Sequence, residues 1–383
     1  MNEYTRFLAF MLVAVFVGCN NDIDTPLGEL DIPLDPSKQF IHFDANVSSR
    51  GALVEGNVLE DDLYVLGYQY RGDWKAEKVF ATPNVFDATP QPVTYEGDGI
   101  YSYENIKTWT GNKYSFFGYY PTNTNNDVIK LFDNGNVKQG DPYIIYNLPI
   151  SSDPRDLIDV MTASNIDTGV ASSASVDMQF HHRLAAVDVG ARNYYEYDDD
   201  QNAATPDKLV TIEIVNLEVN LTNINSTSAK IYLDHTIPSE LNKVTPAKSI
   251  SYKMVDKDAE WALNTFDVIP NTAEDRAIRL ISTQSGENAS SLLLLPQEEL
   301  LHGALKLTYK KKYQDGDDWI YIHEGDNVND FEFNPELPIN FDKVLTEGRR
   351  YFIELTFTSD AVSVNIIAAD EWNTLDDISH EFE

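Results

Sequence analysis

Along most of the chain, apolar and polar residues alternate with a period of two, and stripes at helical spacing are scarce. Successive side chains of a strand point to opposite faces, so this alternation predicts half-buried strands. In Val210 to Leu221, Val210, Ile212 and Ile214 alternate with Thr211 and Glu213. A hairpin is predicted over Leu305 to Tyr321, where the chain turns through Gln314-Asp315-Gly316-Asp317-Asp318 into Trp319-Ile320-Tyr321. Asp-Gly between two such runs is a turn signal because glycine tolerates positive φ. A second hairpin runs from Tyr351, Ile353, Leu355 and Phe357 through Ser359-Asp360 into Val362, Val364 and Ile366. Further strands are expected at Gln39 to Phe43, Asp62 to Tyr70, Lys113 to Tyr120 and Val176 to Val189. Short polar connections rich in Gly and Pro separate them, the pattern of an all-β, antiparallel β-sandwich protein.

The start of the chain departs from this pattern. Met1 to Arg6 carries Arg6, Phe7 to Gly18 is apolar or small throughout, and Cys19 follows. Twelve helical residues reach about 18 Å, well short of the roughly 30 Å hydrocarbon core of a bilayer. The stretch resembles a bacterial signal peptide ending in a lipobox, in which the cysteine is acylated and becomes the first residue of the mature chain. Residues 1–18 are therefore read as a lipoprotein signal peptide and Cys19 as the lipidation site. Residues 19–38, with Pro26, Pro33 and Pro36, read as a tether, because proline lacks the donor that a central strand needs. The remaining length suits two domains. The polar, acidic stretch Tyr194 to Lys208 is either a long hairpin tip inside one domain or the expected boundary, the latter giving an N-terminal β-sandwich domain at 39–200 and a C-terminal one at 201–383.

Composition narrows the function. The hydrophobic share of 42%, with 21 Tyr and 18 Phe, supplies a core. With one cysteine there is no internal disulfide framework and no Cys-based zinc site. The formal charge of -34 repels phosphate backbones, which excludes nucleic acid as a partner. Catalytic motifs are absent: there is no Gly-x-Ser-x-Gly, His-Glu-x-x-His or Walker loop, and Gly97-x-Gly99 lacks the third glycine of a dinucleotide site. His181 and His182 would lie on opposite faces of a strand and could not chelate one ion, so His182 is expected to be a packed strand residue. His42, His235, His302, His323 and His380 are dispersed. Acidic runs at Asp198 to Asp200 and Asp315 to Asp318 lack the spacing of a calcium loop and read as solvated hairpin tips. No enzyme, cofactor or metal site is expected. Trp74, Trp109, Trp261 and Trp319 are candidates either for the core or for stacking on sugar rings, the second leaving open a monomeric outer-membrane lipoprotein that binds glycan.

Several stretches together resemble the fimbrillins of Bacteroidetes, the Mfa-like and FimA-like fimbrial subunits. Ile41-His42-Phe43-Asp44-Ala45 with Ser49-Arg50-Gly51 resembles their first strand and processing loop. Asp156 to Ala163 and Val176 to Leu184 resemble their "DLM.A" and "v.l.F.H.l" strands. Leu292 to Gln297 resembles the "LPQ" segment, and Glu347 to Tyr351 with Ala369 to Trp372 the "G..Y" and terminal "W" signatures. The resemblance implies two tandem transthyretin-like sandwich domains and a lipoprotein precursor at the outer membrane and cell surface. It also implies homo- or hetero-polymers with other fimbrial subunits, built by strand exchange after a protease cuts following Arg50, ahead of Gly51, with a host or glycan ligand for adhesion. Ile41, Phe43, Ala45 and Val47 would form the displaced first strand; Val362, Val364 and Ile366 would be a donor or a last strand. The polar tail Asn373 to Glu383 would make a poor donor, because its acids would enter an apolar groove.

Overall fold

The computed structural model describes residues 40–47, 59–122, 128–131, 140–151, 153–169, 175–197, 208–256, 258, 265–269, 278–279, 291–322, 332–358 and 361–368. Cys19, Arg50, Gly51, Trp261, the acidic run Asp198 to Asp200 and the tail from 369 lie outside them, as do the signal peptide and tether.

The chain is all-β. It opens with β1 (Phe43–Val47), β2 (Leu63–Tyr70), a one-turn helix α1 (Trp74–Glu77), β3 (Gln91–Gly97), β4 (Ile100–Ser102) and β5 (Lys113–Tyr120). Next come β6 (Ile129–Leu131), β7 (Tyr143–Asn147), β8 (Met161–Thr168), β9 (Val176–His182), β10 (Ala185–Asn193) and β11 (Glu196–Tyr197). The second half holds β12 (Lys208–Tyr232), β13 (Glu240–Asp256), β14 (Phe266–Val268), β15 (Ile278–Arg279) and β16 (Leu292–Leu294). It ends with β17 (His302–Asp315), β18 (Asp318–Ile322), β19 (Glu336–Asn340), β20 (Arg350–Phe357) and β21 (Val362–Ala368).

These strands make three sheets. The first has the order β1-β9-β8-β5-β2-β3-β4; the second is β15-β10-β20-β21 with β16 also on β10. The third runs β18-β17-β12-β7-β6, with β11, β13 and β14 also on β12 and β19 on β17. Both predicted hairpins form, β17 with β18 and β20 with β21. The first turns at Gly316-Asp317, with Gly316 at φ 65°. The run Val176 to Val189, expected as one strand, is two: β9 joins the first sheet and β10 the second, with Arg183 and Leu184 between. Two pairs, β1 with β9 and β10 with β20, are parallel. Alternation cannot reveal this, since a strand has period two in either direction. Pairs of β7 with β12 and of β10 with β20 cross residue 200, so strands from both halves share sheets.

The core follows from how the alternation is kept. On β12 the buried set passes from Val210, Ile212 and Ile214 to Leu217, Val219 and Leu221, then to Ala229 and Ile231. The set moves from even to odd positions between Ile214 and Asn216, where the register against β17 shifts; Ile224 interrupts the odd positions, which resume at Ala229 beyond the register shifts against β13. An extra residue at a bulge returns the apolar side chains to the same face. In the first sheet both faces are covered. Leu63 and Val65 of β2 and Tyr114 and Phe116 of β5 enter one core; Leu66, Tyr68, Phe117 and Tyr119 enter the other. Gly67 is required there, because a Cβ would lie 2.6 Å from the Phe86 ring.

One charged pair is sealed in this core. Asp188 on β10 lies 3.2 Å from Arg350 Nε on β20, both side chains have 0% exposure, and Ser291 donates to Asp188 at 2.6 Å. Removing one partner of such a pair strands a buried charge. Asp188→Ala is expected to lower the unfolding free energy by about 3–5 kcal/mol, read from the urea midpoint, whereas Asp188→Leu with Arg350→Met should recover most of the loss.

Candidate functional site

The first strand named from the sequence is seated in a slot. Residues Phe43 to Val47 pair in parallel with Val176 to Phe180, and Val176 N–H donates to His42 C=O at 2.7 Å. On its other side Ile41 N–H donates to Lys107 C=O at 2.9 Å, and Leu59 N–H to Ala45 C=O at 3.1 Å. Tyr103 Oη donates to Ile41 C=O at 2.8 Å, and Tyr101 Oη to the carbonyl of Leu59. Burial holds both phenols above the usual tyrosine range, so they stay protonated donors. The segment from Phe40 to Val47 therefore has hydrogen-bonding rims on both sides, β9 on one and Leu59 with the stretch from Tyr101 to Thr108 on the other.

Its alternation decides what fills the slot. Ile41, Phe43, Ala45 and Val47 are all buried, whereas His42 and Asp44 are exposed. Phe43 makes an edge contact with Phe116 at 5.4 Å between centroids and packs against Tyr103 at 5.8 Å and Phe86 at 6.2 Å. On the outer face Asn46 Nδ2 donates to Asp177 at 3.3 Å and Ser175 Oγ donates to Asp44. Full burial of Ile, Phe and Val is worth about 1.5–3 kcal/mol each, or about 5–9 kcal/mol together. That is comparable with the net stability of a whole domain, about 5–15 kcal/mol. A chain without β1 would expose an apolar slot rimmed by unpaired N–H and C=O groups.

The sequence identified the strand but not its container. Tyr101, Tyr103, Phe86 and Leu59 are contributed by connections or a short strand and carry no alternation that separates them from other packed apolar residues. Val362, Val364 and Ile366 lie on β21, half-buried against the larger core, with Ser363 and Asn365 exposed. That strand pairs with β20 and ends its sheet among the described residues. Trp74 and Trp109 are core residues, with Trp74 packed on Tyr68 and Phe117; Trp319 is exposed. No cluster of three or more His, Cys, Asp or Glu among the described residues could hold a metal.

The histidine pair separates as strand geometry requires. His182 is buried, with Nδ1 2.7 Å from Asp159. His181 faces the other way and stacks on His235, beyond the end of β12, at 3.7 Å between centroids. Burial, then the neighbouring His235, pushes the His181 pKa down to about 4; burial also lowers His235.

Two outcomes are expected. Phe43→Ala should destabilise by about 3–5 kcal/mol, against less than about 0.5 kcal/mol for the exposed His42→Ala, both read by denaturant titration. The histidine shift sets a pH window. A base with a depressed folded-state pKa takes its proton more readily when unfolded, so stability is full above about pH 6.5 and falls as pH drops towards 4. His181→Asn should flatten the loss of the urea midpoint between pH 7 and pH 4.5.

No curated protein sequence matches the chain. Among solved structures, a fimbrial protein from Bacteroides vulgatus ATCC 8482 aligns at 18% identity and a TM-score of 0.48, over 88% of this chain and 100% of that one. A candidate cell-adhesion protein from Bacteroides ovatus ATCC 8483 aligns at 15% identity and 0.44, over 87% and 96%. A second, from Bacteroides uniformis ATCC 8492, aligns at 13% and 0.43, over 87% and 99%. The family model for fimbrillin-like proteins matches residues 61–370, starting after β1 and ending after β21. With most of its length matched by that model, the chain belongs to the fimbrillin-like family.

Proposed function

We propose that this fimbrial subunit is exported as a lipoprotein acylated on Cys19, held at the outer membrane, and assembled at the cell surface by strand exchange after cleavage between Arg50 and Gly51. The observation that carries the reading is the slot of β1. The segment from Ile41 to Val47 supplies four buried side chains yet precedes the proposed cut, so cleavage would leave it attached only by non-covalent contacts. Its loss would open a groove whose two rims offer main-chain groups to an incoming strand, the arrangement that β-strand addition needs.

The partner in this reading is another fimbrial subunit, of the same or a different kind. This chain's own β21 offers one donor pattern: Val362-Ser363-Val364-Asn365-Ile366 repeats the apolar and polar order of Phe43-Asp44-Ala45-Asn46-Val47, with asparagine fourth in both. Val364 is larger than Ala45, so the slot must yield slightly to take it in that register. The lipid then serves export and holds the precursor until assembly. Without cleavage, Cys19 would tie the base of a fimbrium to the membrane, where two or more acyl chains give stable anchoring.

The N-terminal sequence of surface-assembled protein tests the cut: Gly51 is expected as first residue, and a start at Cys19 would sink the processing step. Chains beginning at Gly51 should form ladders on size exclusion, and a peptide spanning Phe40 to Ser48 should cap them as monomers. A Gly51 chain that stays monomeric without the peptide would rule out exchange through this slot.

A further inference from the structure

Trp319 has no place in the strand-exchange reading. It is 49% exposed on β18, which ends the third sheet among the described residues. Register sets its surroundings: Gln314 is opposite Trp319, and two residues along Lys312 is opposite Tyr321, so these side chains share one face. The Lys312 ammonium lies 5.2 Å from the indole centroid. It is clamped by Glu213 at 2.7 Å and Asp267 at 2.8 Å, and Tyr321 Oη donates to Glu213 at 3.1 Å. Lys312 and Glu213 are largely buried, at 10% and 12% side-chain exposure, so the polar row beside the ring is held in place before any ligand arrives.

We propose that this face of the β17–β18 hairpin is a carbohydrate-binding platform that takes a neutral pyranose, stacked on the side of the Trp319 ring turned away from the Lys312 ammonium, with Gln314 and Asp267 as hydrogen-bonding neighbours. A pyranose has an apolar C–H face and a belt of hydroxyls that both donate and accept. It is matched by one exposed aromatic face, whose other side is held by the Lys312 ammonium, beside an amide and a carboxylate. The chain's charge of -34 disfavours anionic glycans, which leaves neutral ones. A protein partner fits less well: a stable interface buries about 800 Å² on each side around an apolar centre, and this face is built on one indole in a polar row. The platform belongs to the unassembled chain and does not depend on cleavage or exchange.

Saturation-transfer NMR on the purified full-length chain, with methyl β-D-galactopyranoside and methyl β-D-glucopyranoside as probes, tests it. Transfer is expected to be strongest to the ring C–H protons of one sugar face. Binding should weaken tenfold or more in Trp319→Ala and only partly in Trp319→Phe, which preserves an aromatic ring and guards against a folding artefact. Galactose 6-sulfate should bind more weakly than either glycoside. Absence of transfer to both glycosides, or transfer unchanged in Trp319→Ala, would overturn the proposal. So would a Trp319→Ala variant that alters self-association while sugar binding stays as in the parent chain.

Discussion

The constraint on which the architecture depends is the pairing of one long strand, β12. Its 25 residues take β7, β11, β13, β14 and β17 as partners. At about 3.3 Å per residue such a strand approaches 80 Å in length, longer than any flat run could keep one face in a single core. The bulges that break its register solve this. Each resets which residues face inward, so Val210 at one end and Ile231 at the other are both buried. With no disulfide available within the described core, this continuity of apolar burial is what joins strands that are far apart in sequence.

Electrostatics plays a different part inside and outside. A surface with this excess of acid gains solubility at the cost of self-repulsion, and many of its ion pairs, such as Lys243 with Glu298, are exposed and contribute little. Inside, the pair Asp188 with Arg350 is fully desolvated, and Arg183 is held by Glu347 at 3.2 Å and the Ile237 carbonyl at 2.8 Å. Such groups do not raise stability over an apolar core. They tie β10 to β20, and the end of β9 to the segment between β12 and β13.

In the proposed assembly, the slot of β1 joins fold and function. In the proposed reading, β1, parallel to its neighbour and far from it in sequence, can be exchanged in a way that a hairpin strand cannot. The hairpin's partner is covalently close and re-forms at once, whereas β1 is connected to the rest only through the stretch that carries Arg50. The platform at Trp319 rests on another property of strands. An edge hairpin presents a rigid row of alternate side chains to solvent, and its pairing fixes which residues share the row.

The sequence by itself determined that this protein is β, where its hairpins turn, and that Ile41, Phe43, Ala45 and Val47 form an inward-facing set. Period-two alternation and turn chemistry are local, so they can be read without coordinates. It also separated His181 from His182, by the same rule. Tertiary structure alone decided that β1 pairs with β9, and β10 with β20, in parallel, that Val176 to Val189 divides between two sheets, and that Tyr101 and Tyr103 close the slot. It likewise decided that Trp109 is core while Trp319 faces water. Each of these depends on which distant strand arrives alongside, and an alternating pattern looks the same whichever neighbour covers it.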